Sequence, residues 1–147
     1  MKVTLIFISL ASSLLTSTFL QSAQARDNQC LGKICMNMTE SQVRYRLGKP
    51  LSSERRQCGR ETLEYSQGGV SLQDGSTYAI TSHNSRWRTT TGIKVGDNIS
   101  KAQKAYSLKK LDPSSFSVDL SSGETLTFRT DGYHRIKEIH LHRSTVC

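Results

Sequence analysis

Apolar and polar residues alternate in short runs along most of the chain. Leu63/Tyr65, Val70/Leu72 and Tyr78/Ile80 form such sets in the first half; Phe116/Val118/Leu120, Leu126/Phe128 and Ile139/Leu141 form them in the second. A period of two puts each set on one side of a strand. The segments "SQGG", "QDGS", "SSG" and "TDGY" between the runs supply turn residues. Alternation repeated this often, with short turns, predicts antiparallel strands with one buried face. Two stretches depart from it. In "MTESQVRYRLGKP" (38–50), Thr39 can N-cap a helix, Gln42 completes a capping box, and Met38 and Val43 occupy staple positions. Gly48 suits the left-handed position after the last turn, and Pro50 blocks continuation. A helix of about two turns is stable only when packed on something. In "TGIKVGDNISKAQKAYSLKK", Ile99, Ala102 and Tyr106 recur at helical spacing. There Asn98, Ala102 and Tyr106 stand as Thr39, Val43 and Leu47 do, although Lys101 replaces the capping-box Gln and Ser107 the terminal Gly. The predicted fold class is therefore α+β: a tandem repeat of a short helix plus an antiparallel β-meander, about 36–90 and 91–147. Helices would lie on one face of the sheet and leave the other open. Only two prolines occur and no low-complexity linker separates the halves, so a single domain is expected.

Residues 1–25 combine Lys2, the apolar run "VTLIFISLASSLL" and "SAQA" before Arg26, the pattern of a cleavable secretory signal. The run is too short and serine-rich for a membrane span. The expected product is residues 26–147, periplasmic or secreted. No small-residue lipid-attachment pattern precedes Cys30 in "ARDNQC". All four cysteines, Cys30, Cys35, Cys58 and Cys147, lie beyond residue 25. An even count in a small exported chain predicts two disulfides, with three possible connectivities. Of these, Cys35–Cys58 with Cys30–Cys147 is favoured: the first ties the helix entry to the next strand, the second ties the ends of the exported chain. No C-x2-C pair is present, so no zinc site and no other cofactor is expected.

Charge narrows the choice of partner. The chain carries +8, and removing Lys2 with residues 1–25 takes this to +7. Arg44, Arg46, Arg55, Arg56 and Arg60 cluster around the first helix. A charged outer helix face is usually a solvated one. After export a genome is not the polyanion at hand, which disfavours nucleic acid. A basic surface there meets an acidic protein or an anionic envelope component.

If the inward sets are right, the opposite sheet face carries Thr62, Glu64, Ser71, Gln73, Thr77, Thr81, Ser117, Asp119, Thr125, Thr127, Arg129, His140 and His142. Its small hydroxyl side chains let another chain approach closely. The candidate binding residues are Thr77, Thr125, Thr127 and Arg129, with His140 and His142 nearby. Trp87, the sole tryptophan, lies between Arg86 and Arg88. It is either a rim contact of the kind that dominates interfaces or a large side chain packed at the joint between repeats. The enzymatic rival is a small basic hydrolase, a nuclease above all. It would be built on His134, Glu138, His140 and His142 in "HRIKEIHLH", with His83 as a third metal ligand.

The string "NMTESQVRYRLGKP", followed by a meander and then "TGIKVGD", resembles the SmpA/OmlA domain of the small barrel-assembly lipoprotein. The doubled plan resembles the tandem repeat of secreted β-lactamase-inhibitor proteins. The likeness covers roughly residues 36–80 and 92–141, by pattern more than identity. It implies a binding protein with no active site: an inhibitor, an immunity-like protein or an envelope-assembly accessory.

Overall fold

The computed structural model describes residues 29–107 and 114–145. The candidate signal, residues 1–25, and Cys147 lie outside the described residues. Two short strands, β1 (Cys30–Leu31) and β2 (Ile34–Cys35), form a hairpin. Helix α1 (Glu40–Leu47) follows, then β3 (Ser52–Arg56), β4 (Arg60–Tyr65), β5 (Gly68–Gln73) and β6 (Ser76–Ser82). Helix α2 (Ile99–Ala105) precedes β7 (Ser115–Asp119), β8 (Thr125–Thr130) and β9 (Ile136–His142).

The seven strands β3 to β9 make one antiparallel sheet in the order β3-β4-β5-β6-β9-β8-β7. This corrects the expected α+β tandem repeat. The fold is mostly β, and β6 pairs with β9, so the two strand runs merge into a single ladder instead of forming two helix-plus-meander units. The helices, at eight and seven residues, add only Val43 from α1 and Ile99 and Ala102 from α2 to the fully buried set. Backbone hydrogen bonding between strands, more than helix packing, organises the molecule.

Local signals explain the elements. Thr39 accepts from the Gln42 amide and Gln42 Oε1 accepts from the Thr39 amide, closing the capping box on α1. Asn98 accepts from the Ser100 amide at the start of α2. Asp74 and Gly75 both have positive φ (50° and 77°) between the paired residues Gln73 and Ser76. That is the two-residue turn whose twist suits a hairpin.

The inner face carries a row in direct register from β4 to β7: Leu63, Val70, Ile80, Leu141, Leu126 and Val118. Phe116 stacks on Phe128 with centroids 4.7 Å apart. Leu31, Ile34, Met36 and Met38 from the hairpin and its exit join this core, as do Trp87 and Ile93 from the segment after β6. Beyond β9, Arg143 pairs with the buried Glu124 carboxylate and donates to Asn37 Oδ1, tying the β7–β8 turn to the chain just past the hairpin.

Two expectations fail for one reason, a β-bulge. Ser71 pairs with Ala79 but Leu72 pairs with Thr77, so Tyr78 is the extra residue. Side-chain parity shifts there. Thr77 turns inward, is 2% exposed, and donates its hydroxyl to the Met38 carbonyl. Tyr78 is not an inward residue; its ring lies under the Arg60 guanidinium at 5.7 Å. The expected disulfides are corrected too. Cys30 is bonded to Cys35 across the hairpin, where the two residues are register partners. Cys58 is disulfide-bonded as well, but not to Cys35.

Val43→Asp should cost about 3 kcal/mol or more, because it buries an unpaired charge in the core. Arg44→Ala removes an exposed ion pair with Glu40 and should leave the thermal midpoint nearly unchanged. Peptide mapping of non-reduced protein should recover Cys30 joined to Cys35 and no Cys35–Cys58 species.

Candidate binding face

The outer face of the sheet is built from two cross-strand rows. One runs Ser52, Glu64, Gly69, Thr81, His140, Thr127, Ser117; the other runs Glu54, Thr62, Ser71, Ala79, His142, Thr125, Asp119. Their centres carry small side chains. A glycine is required at the edge of this patch: a Cβ on Gly68 (φ 153°) would sit 1.8 Å from the Thr81 carbonyl oxygen. The chain can therefore bring β5 and β6 together there only without a side chain.

Hydroxyls on the face are bonded to one another across strands: Ser117 to Thr127 (2.7 Å), Thr62 to Ser71 (3.3 Å), and Thr125 donating to Asp119 Oδ1 (2.9 Å). Thr81 Oγ1 lies 2.7 Å from His140 Nδ1, and the His140 and His142 rings are 4.8 Å apart. At the margin Glu138 pairs with Arg129 at 3.5 Å and faces His83 at 3.6 Å. Burial pushes the His140 pKa down, and repulsion from His142 and Arg129 adds to this against the opposing pull of Glu138.

Five of the seven candidate binding residues come together here: Thr125, Thr127, Arg129, His140 and His142. Thr77 and Trp87 do not. Thr77 is drawn inward by the bulge. Trp87 is 4% exposed and seated on Gly32, where a Cβ would lie 2.6 Å from its ring. Of the hydrolase set, Glu138, His140 and His142 lie on this face, and His134 does not. A second bulge, at Lys137, lets Arg129 pair with Glu138 and Thr130 with Ile136; His134 lies before β9, in the preceding turn (φ 59°), and not on the face. Among the described residues no group of three or more His, Cys, Asp or Glu is placed to hold a metal ion. Among them too, no helix is long and apolar enough to cross a membrane.

Comparison with known proteins bears on the fold. No family model matches the chain, and no curated protein matches it. Among solved structures it is similar to an extracellular protein containing an SCP domain from Bacillus anthracis, with 9% identity and TM-score 0.51, over 74% of this chain and 44% of that one. It is also similar to a cysteine-rich secretory protein from Staphylococcus aureus, with 6% identity and TM-score 0.50, over 74% of this chain and 43% of that one. The chain thus spans less than half the length of these proteins, and at such identity the likeness is one of fold. It corrects the resemblance to SmpA/OmlA domains and tandem inhibitors: the fold is similar to that found in an SCP-containing and a cysteine-rich secretory protein. The string behind that resemblance encodes a capped two-turn helix, a local device that many folds use.

His140 should titrate with a midpoint below the ordinary histidine value of 6.5 in an NMR pH series. A depressed pKa in the folded state means that the unfolded chain binds the proton more readily. The stability this group contributes is therefore present above pH 6.5 and lost as pH falls through the folded-state pKa.

Proposed function

We propose that this is an exported protein that binds another protein through the outer face of its sheet, without turnover. The observation that carries the reading is the asymmetry of the sheet. One face is sealed by the hairpin, both helices and the Trp87 segment, while the other carries two continuous cross-strand rows that are small and polar at their centre, among the described residues. Small residues at the centre (Gly69, Ser71, Ala79, Thr81) admit a partner backbone. Arg129, Glu138 and Glu64 supply charge at the margins, where it favours orientation more than holding. Export is supported by the signal-like pattern of residues 1–25, by the Cys30–Cys35 disulfide, and by neighbours described as extracellular and secretory.

The test is site-specific photo-cross-linking of the exported protein. A benzoylphenylalanine placed at Thr127 should give a discrete protein adduct, and one at the exposed Tyr45 on α1 should give none. Adding Thr125→Glu should cut the Thr127 adduct by about tenfold at an unchanged melting temperature, as expected for a charge placed at the centre of an interface. Adducts from position 45 alone would transfer the interface to the helix face and end this reading.

A further inference from the structure

At the far side from the outer face, a cleft of about 240 Å3 opens between the β1–β2 hairpin, the last turn of α1, the β4–β5 turn and the segment after β6. Its floor is apolar, made by Trp87 and Leu47 beside Gly32. Its rim carries three cations, Lys33, Arg46 and Arg86, and the amide of Gln67. Among the described residues no carboxylate lines it.

The state of those three cations sets them apart from the other basic residues nearby. Arg44 is paired with Glu40, Arg55 with Glu61, and Arg56 with Glu54. Among the described residues, none of Lys33, Arg46 and Arg86 forms an ion pair. Arg46 donates from Nη1 to the Lys33 carbonyl at 2.6 Å, which orients its guanidinium without neutralising it. Three cations without an acidic partner line one small cleft, where a bound anion would accept charge-assisted hydrogen bonds. The apolar floor adds a second requirement, because a bare inorganic ion leaves the half-buried Leu47 and the exposed edge of Trp87 in contact with water.

We propose that this cleft binds a small organic anion: a carboxylate or phosphate ester held by Lys33, Arg46 and Arg86, with a short alkyl or aryl body lying on Trp87 and Leu47. The volume lies below the usual range for drug-sized ligands, which restricts the occupant to a few carbons beyond its anionic group. This assignment is independent of the outer face.

Trp87 is the sole tryptophan, so its emission reports on this cleft alone. Hexyl phosphate added to the mature exported protein at physiological ionic strength should shift that emission saturably. Inorganic phosphate should bind at least about tenfold more weakly, and hexanol should give no saturable change, since each supplies half of the recognition. The Lys33→Gln/Arg86→Gln double variant should lose about tenfold or more in affinity for hexyl phosphate, and Arg56→Gln, remote on β3, should lose none. Melting curves of each variant, and equilibrium dialysis of hexyl phosphate, accompany the titration. The proposal is overturned if dialysis and emission both show no binding. It is equally overturned if inorganic phosphate matches hexyl phosphate, or if the double variant, melting as the parent does, binds as tightly.

Discussion

The pairing of β6 with β9 is the contact on which the architecture rests. Ala79, Ile80, Thr81 and Ser82 meet His142, Leu141, His140 and Ile139 in register. Every other neighbouring pair in the seven-stranded sheet is joined by a local hairpin; this one closes over the whole segment that contains α2, β7 and β8. Its loop-closure entropy is the largest in the sheet, and it is offset by what closure completes. Ile80 against Leu141 makes the apolar row continuous, and Thr81 against His140 does the same for the polar row behind it. Without that ladder, β6 and β9 would each present unpaired backbone at the centre of the molecule, where an orphaned amide costs most.

The sequence made some of this legible and hid the rest for physical reasons. Alternation located the strands because one face is buried and the other is not, and side chains such as Leu63, Val70, Leu126 and Phe128 had to choose. Caps located the helices because Thr39, Gln42 and Asn98 satisfy amides that the helix itself cannot. The bulges at Tyr78 and Lys137 left no such mark. Each inserts a residue whose identity is compatible with either face, and each reverses parity for everything on the turn side. That is why Thr77 belongs to the core although simple counting puts it on the outer face, while His134 falls in the turn before β9. Strand pairing between β6 and β9 was equally hidden, since local pattern carries no information about which distant runs share a ladder. A repeat read from helix spacing therefore yielded two units where there is one sheet.

The N-terminal hairpin leaves no readable pattern for a related reason. "CLGKIC" is too short to show a period, yet Leu31, Ile34 and Met36 are fully buried. Gly32 matters as much as the apolar residues, because its left-handed backbone and missing side chain make the seat for Trp87. Burial of that tryptophan, with its two arginine neighbours exposed, follows from the seat and not from the residue's own preferences. The remaining candidate residues, Thr125, Thr127, Arg129, His140 and His142, lie on strands whose parity no bulge disturbs between them. Their gathering on one face was therefore available to pattern reasoning.

The Cys30–Cys35 bond closes a loop only five residues in span. In the chain-entropy picture so small a ring restrains the unfolded chain by about 2 kcal/mol, toward the low end for disulfides. Its influence is consequently local. Reduction would free the hairpin that forms one wall over Trp87, while the long ladder from β3 to β7 keeps its own hydrogen bonds. Thiol–disulfide exchange at this bond is thereby felt first on the side that carries Lys33 and Arg46.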